Sequence, residues 1–248
     1  MLNSEEFKYS PSILITSGGT REMIDQARMI TNRSTGKLGS LIADVFIARG
    51  AKVTYLYANH AIQPNFQPEE LIRIKTSSEL KDTIDKLLCK KKFDAVIHLM
   101  AVSDFTPSGF ASKEEVEKAV KAGKSIDSVV QPLAKGKMSS KLQDLVLFFD
   151  NTEKVIDIIK DHQPDTILVG FKLLADAEEG KLKSAAHYVL EHSNCDYVVA
   201  NDQKDISFSQ NKHKAFIMNR QGEITNLDSK EQIAIGIAKI ICHDLRNR

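Results

Sequence analysis

Ile13-Leu14-Ile15-Thr16-Ser17-Gly18-Gly19-Thr20-Arg21-Glu22, followed five residues later by Arg28-Met29-Ile30-Thr31-Asn32-Arg33-Ser34-Thr35-Gly36-Lys37-Leu38-Gly39, decides the fold. An apolar strand runs into the first block. An apolar-periodic helix leaves the second through Leu38, Leu41, Ile42, Val45 and Phe46. Gly, Ser, Thr and Asn between a strand end and a helix start form backbone N–H cradles suited to phosphates and carboxylates. A Gly-rich turn that only joins the two elements is the plain alternative; the many small polar residues, with Arg21, Arg28, Arg33 and Lys37, weigh against it. Two familiar loops are excluded. Gly36 and Gly39 have no glycine two residues before them, so there is no Gly-x-Gly-x-x-Gly. Ser34-Thr35-Gly36-Lys37 is followed by Leu38 where a P-loop needs Ser or Thr.

Outward from this junction the chain alternates. The patterns predict a strand at 12–16, a helix at 37–49 closed by Gly50, a strand at 53–57, and a helix started by the capping box Thr76-Ser77-Ser78-Glu79 with Leu80, Ile84, Leu87 and Leu88 on one face. Asp94 to Met100 reads as a strand buried on both faces. Residues 106–150 break the rhythm: Ser112 to Glu115 caps a short helix ending at Gly123, and two apolar runs, Ile126–Val130 and Leu142–Phe149, read as an antiparallel excursion. Further helices are predicted at 152–161 and 176–191 and strands at 166–171 and 196–200. A β-hairpin joins Ala215–Met218 to Glu223–Leu227, and Ser229 to Gln232 caps a last helix. The expectation is one α/β domain over 1–248: a doubly wound, mostly parallel Rossmann-like sheet with an antiparallel excursion and a C-terminal β-hairpin plus helix.

Composition narrows the function. Lys and Arg number 34 against 33 Asp and Glu, which argues against nucleic-acid binding by bulk charge. No run of 18 apolar residues is present, and the first six residues are acidic without an apolar stretch, so neither a membrane span nor a signal peptide is expected. Cys89, Cys195 and Cys242 lie far apart, which fits free thiols in a reduced cytoplasm; Cys195 reads as a buried thiol. The seven His form no Cys/His cluster along the sequence, so a structural zinc is not expected.

The two quoted blocks resemble phosphopantothenoylcysteine synthetase (phosphopantothenate–cysteine ligase) in its free-standing form. The family's Arg-x-x-x-Asn-x-Ser-Ser-Gly-x-x-Gly segment is matched by Arg28, Asn32, Ser34, Gly36 and Gly39, with Thr35 for the second Ser. Ala101-Val102-Ser103-Asp104-Phe105, Val169-Gly170-Phe171-Lys172 and Val198-Val199-Ala200-Asn201-Asp202 match in order, so the likeness spans about 13 to 241. It implies a ligase that joins 4′-phosphopantothenate to L-cysteine through an acyl-nucleotide, releasing the monophosphate and pyrophosphate, in coenzyme A biosynthesis. It implies Asn32, Lys137 and Arg28 as catalytic residues. Gly18, Gly19, Ser34, Gly36, Gly39, Ala101, Asp104, Phe171 and Asn201 would bind substrate and nucleotide. It also implies Mg²⁺, with ligands unassigned, and a homodimer with the excursion and the Asn32 region near the partner. Ser139 and Ser140 stand where the family flap has lysines, so Lys135 and Lys141 are candidates to take part of their place. Val189 and Ser193 stand where bacterial members carry basic residues, with Lys181, Lys183 and His187 as candidate substitutes. CTP is favoured as co-substrate and ATP stays open. Two other readings stand beside the ligase: a Rossmann-like oxidoreductase, disfavoured by the missing glycine fingerprint, and a non-catalytic nucleotide-binding protein.

Overall fold

The computed structural model describes residues 7–133, 136–139, 144–207 and 212–248. Its first strand, β1 (Ser12–Ser17), is buried at every position but the first. It is followed by β2 (Arg21–Met23), β3 (Met29–Thr31), α1 (Lys37–Ala48), β4 (Lys52–Ala58), β5 (Glu70–Ile74), α2 (Ser77–Lys90) and β6 (Ala95–His98). The excursion contains β7 (Phe105–Ser112), α3 (Lys113–Lys121), a 3-10 turn at Ile126–Val129, β8 (Gln131–Pro132) and β9 (Leu145–Asn151). The main rhythm returns with α4 (Asp157–His162), β10 (Ile167–Leu174), α5 (Glu179–His192) and β11 (Tyr197–Asp202). A short pair, β12 (Ile206–Ser207) and β13 (Lys212–His213), precedes the hairpin β14 (Ala215–Asn219) and β15 (Ile224–Leu227) and the helix α6 (Lys230–Arg246).

Eight strands form the main sheet in the order β15-β14-β11-β10-β6-β1-β4-β5. Six are parallel; β14 and β15 are antiparallel. The chain moves outward from β1 through β4 to β5, then returns to β6 on the other side of β1. That reversal makes the β1/β6 boundary the topological switch point, where open α/β sheets bind ligands beyond their strand ends. Strand residues alternate between two cores. Leu14, Leu56, Val96, Leu168 and Val198 face α2, α4 and α5. Ile13, Ile15, Ile97, Val169 and Val199 face α1 and α6.

The doubly wound sheet stands as expected, with several local differences. Ile126–Val129 is a 3-10 turn rather than a strand, because the Ser125 hydroxyl accepts the Asp127 N–H and closes a local turn. The excursion instead pairs β7 with both β8 and β9; the start of the predicted Leu142–Phe149 run lies outside the described residues. The helix expected from 152 begins at Asp157, because Thr152 is tied to the loop after β6: its N–H donates to Asp104 O at 3.0 Å and its hydroxyl to Ser103 O. Edge strand β5 went unread, its few apolar residues being preceded by Glu70 and interrupted by Arg73. Among the described residues no helix is long and apolar enough to cross a membrane.

At the centre of the sheet His98 is 7% exposed, with Nδ1 3.0 Å from Thr16 Oγ1. Burial pushes its pKa from 6.5 down to about 4. The unfolded chain therefore takes up a proton below about pH 6.5 that the folded chain refuses until about pH 4, so acidification through this window removes stability. The loss attributable to His98 should approach about 3 kcal/mol. Urea midpoints at about pH 7 and about pH 4.5 should show a smaller drop for His98→Asn than for the parent chain; equal drops would contradict this assignment.

Candidate functional site

The site is built on a junction with no space for a side chain. Ser17, the last residue of β1, donates from Oγ to Gly36 O at 3.1 Å. A Cβ on Gly39 would stand 2.3 Å from Ser17 Oγ and 2.7 Å from its Cβ, so only glycine lets α1 lie this close to β1. Gly36 precedes α1 at φ 72°, in the left-handed region, and caps the helix without a side chain. The first turn of α1 therefore opens toward the strand ends, with Asn32, Arg33, Ser34 and Thr35 exposed before it.

The loops after β1 and β6 are joined as a ladder. Gly19 and Ala101 form a parallel bridge. Ala101 N–H donates to Gly18 O at 2.8 Å, Thr20 N–H to Ala101 O at 3.2 Å, and Ser103 N–H to Thr20 Oγ1 at 2.9 Å. A Cβ on Gly19 would come within 2.5 Å of Asn32 O, so the Asn32 segment crosses directly over this glycine. From there Asn32 Nδ2 donates to Val102 O at 3.0 Å and to Ala101 O at 3.4 Å. Gly18, Gly19, Asn32, Ala101 and the Ser34–Gly39 segment thus converge on one rim.

A second convergence was not legible in the sequence. Asp25, in the turn between β2 and β3, is 4% exposed. Its Oδ1 accepts from the N–H groups of Ala27 and Arg28, both at 2.7 Å. Its Oδ2 accepts from Arg28 Nη1 and from Met138 N–H, both at 3.1 Å. Burial raises the Asp25 pKa, but the N–H donors of Ala27, Met138 and Arg28 and the Arg28 guanidinium outweigh it, leaving it below the ordinary carboxylate value. Arg28 and the segment carrying exposed Lys137 are therefore held by the same carboxylate. Lys135, Ser140 and Lys141 lie outside the described residues. Asp25 carried no pattern of its own; only its place three residues before Arg28 offered a signal.

The remaining predicted residues lie along the same carboxyl rim but outside these two knots. Asp104 is exposed and ion-paired with Lys154. Phe171, in the middle of β10 and one residue past the strand's pairing with β6, is half-buried against the core facing α1 and α6. Asn201, on β11 two strands from β6, is 9% exposed. Its neighbour Asp202 accepts from the N–H groups of Asp176, Ala177 and Lys204 at 3.0, 2.7 and 3.0 Å, which closes the loops after β10 and β11. Val189 packs against the sheet and Ser193 ends α5, so neither faces a ligand rim. His187 faces Glu191 at 3.5 Å. Cys195 is fully buried, and burial, followed by the Asp196 charge, pushes its thiol up to about 12, which removes it as a nucleophile.

A magnesium ion suits this rim at one carboxylate. Asp25 and Asp202 each have their oxygens occupied by N–H donors, whereas Asp104 is exposed and paired only through Lys154 among the contacts above. Mg²⁺ commonly takes one or two carboxylates, with waters and substrate phosphates completing its shell. Asp104 fits that use.

A family model described as DNA/pantothenate metabolism flavoprotein C-terminal domain matches residues 9–127 and 112–245. The coenzyme A biosynthesis bifunctional protein CoaBC of Thermococcus kodakarensis is 36% identical over 200 residues, covering 81% of this chain and 43% of that protein. Its Methanocaldococcus jannaschii counterpart is 27% identical over 222 residues, covering 90% and 48%. The chain thus spans about half the length of the curated relatives it matches. A crystal structure of the DNA/pantothenate metabolism flavoprotein from Streptococcus pneumoniae superposes with TM-score 0.83 at 32% identity, covering 94% of this chain and 98% of that one. A Cab2 mutant in complex with phosphopantothenate-cysteine shares the fold at TM-score 0.64 and 19% identity, covering 99% and 89%.

Asp25 supplies a test of the second knot. A carboxylate with a lowered pKa stabilises the fold above its unfolded value of about 3.9 and loses that contribution as pH falls through the folded value. Asp25→Asn should lower the urea midpoint at neutral pH, and its difference from the parent should shrink as the pH is taken below about 3.9. A pH-independent difference would mean that the side chain acts by shape alone.

Proposed function

The chain belongs to the family of the DNA/pantothenate metabolism flavoprotein C-terminal domain, and on that premise we propose that it is a phosphopantothenate–cysteine ligase acting in coenzyme A biosynthesis. The observation that carries the reading is the hydrogen bonding of Asn32 to Ala101 and Val102: two motifs that match the ligase family, 69 and 70 residues apart, meet at the switch point of the sheet. The name of the Thermococcus relative and the phosphopantothenate-cysteine bound by the Cab2 mutant support the same chemistry.

In this reading the carboxylate of 4′-phosphopantothenate attacks the α-phosphate of the nucleotide, and pyrophosphate departs. The amine of L-cysteine then attacks the acyl carbon, and the nucleoside monophosphate leaves. Both steps develop charge on oxygen, so fixed cations and donors matter more than a protein nucleophile. The Gly18–Gly19 loop and the Ser34–Gly39 segment supply N–H groups for anionic oxygens. Asn32 spends its Nδ2 on two backbone carbonyls, which leaves Oδ1 as the acceptor for an amide or amine of the substrate. Arg28, half-exposed beside its Asp25 anchor, and Lys137 bring positive charge to the phosphates. Asp104 would hold Mg²⁺ together with the phosphates; bound there, the ion neutralises phosphate charge. Phe171 and Asn201 line the nucleotide end. CTP is the favoured co-substrate, and a cytoplasmic setting belongs to the same reading. So does a homodimer: exposed Met23, Met29 and Ile30 on the β2–β3 hairpin and Phe105 and Phe149 on the β7–β9 sheet offer an apolar face for a second copy.

Purified protein with 4′-phosphopantothenate, Mg²⁺ and either CTP or ATP should release pyrophosphate, with sustained turnover only when L-cysteine is added. The faster nucleotide identifies the base. Lys137→Ala should lower kcat by roughly 10²–10³-fold, as removal of a single charge-stabilising group does, and Asn32→Ala by roughly 10²-fold, through loss of the acceptor that orients the substrate. Folded protein that shows no cysteine-dependent turnover with either nucleotide would sink the reading in favour of a non-catalytic nucleotide-binding role.

A further inference from the structure

Far along the helices from the proposed ligase site, the fold brings together three side chains that the sequence keeps apart. Asp85 and Cys89 lie one turn apart on α2, and His162 ends α4. His162 Nε2 is 2.8 Å from Asp85 Oδ1, and its Nδ1 is 3.8 Å from Cys89 Sγ. One carboxylate oxygen, one thiol sulfur and one imidazole nitrogen lie within 4.8 Å of one another, the one such group among the described residues. The sequence reading found no Cys/His cluster; this one forms across 73 residues.

The backbone around the cluster is fixed independently of it. Gln163, next to His162, donates from Nε2 to Leu88 O at 2.8 Å and to Lys91 O at 2.7 Å, while its Oε1 accepts from Phe93 N–H at 2.9 Å. The end of α4 is thereby pinned to the end of α2. Both helices present their C-terminal carbonyl ends here, which favours positive charge. Lys81, one turn before Asp85, is ion-paired with Glu153.

We infer that Asp85, Cys89 and His162 form a surface site for a borderline-soft divalent cation of the Zn²⁺ class, separate from the Mg²⁺ of the proposed reaction. Thiolate and imidazole donors suit Zn²⁺ and are poor ligands for Mg²⁺. Bond lengths of about 2.0–2.3 Å put tetrahedral ligand atoms roughly 3.3–3.8 Å apart. The Cys89–His162 spacing of 3.8 Å already meets that value. Asp85, half-exposed, now holds the opposite ring nitrogen, Nε2, so binding at Nδ1 and Cys89 releases that contact and a side-chain rotation brings the carboxylate round to the ion, with water in the fourth position. Binding releases the Cys89 thiol proton to solvent. The ion would cross-link α2 and α4.

The test uses the full chain, stripped with chelator and titrated with Co²⁺ as a spectroscopic probe. One Co²⁺ per chain should give the intense near-ultraviolet absorption of a cobalt–thiolate bond. Zn²⁺ should abolish it, and Mg²⁺ should not. Cys89→Ser should remove the absorption, and His162→Ala and Asp85→Asn should weaken binding by roughly tenfold or more. Zn²⁺ should also raise the melting temperature of the parent chain but not of Cys89→Ser. Absence of the thiolate absorption, or its persistence in Cys89→Ser, would overturn the site. None of these readouts depends on ligase turnover, so the two proposals fail separately.

Discussion

Everything at the ligand rim depends on how closely α1 can approach the end of β1. The contact between Ser17 and Gly36 and the missing Cβ of Gly39 set that distance. Move the helix outward by the width of a methyl group and the segment from Asn32 to Thr35 no longer crosses Gly19. The Asn32 amide then loses the carbonyls of Ala101 and Val102, and the loops after β1 and β6 lose their shared ladder. The chemistry of the rim follows from a packing constraint two residues deep, in which small residues serve as spacers for a backbone that must come within hydrogen-bond reach.

Aspartates hold the rest in register. At the amino ends of the parallel strands, Asp94 accepts Ser12 N–H at 2.7 Å, and Asp196 accepts Leu168 N–H at 2.8 Å while facing Lys160 and Arg220. At the other end, Asp202 gathers three N–H groups from two loops, and Asp25 gathers three N–H groups and a guanidinium from two segments 113 residues apart. A carboxylate can accept several hydrogen bonds at once, so one side chain can close a loop that has no sheet partner. The two ends differ in consequence. The strand-start aspartates fix sheet register, whereas Asp25 fixes where a candidate catalytic arginine stands relative to a lysine-bearing segment.

The doubly wound sheet was legible because its signals are local: buried apolar strands, caps at Thr76, Ser112 and Ser229, and a glycine-rich turn between β1 and α1. In the excursion those signals failed. Ile126–Val129 has the apolar residues of a strand, but Ser125 and Asp127 bend the backbone first. Much of the candidate site was legible for the same reason, since Asn32, Gly36, Gly39 and Ala101 sit in contiguous motifs. Asp25 and the Asp85–Cys89–His162 cluster were not, because their partners are distant in sequence and no spacing rule links them. Val189 shows the opposite case: a position where the family resemblance implies a basic residue is here a core contact against Gly170.

The pairing of α6 with the core that faces α1 bears on biogenesis. Ile13, Ile15 and Ile97 come early in the chain, yet they share their core with Ile233, Ile237 and Ile241 of the last helix. During vectorial synthesis the first strands leave the ribosome long before the helix that shields them. The part of this face that α1 does not cover stays wet and adhesive until α6 emerges, a window in which chaperones would find it. The order of elements along the chain thus makes the emergence of α6 the step that seals this core.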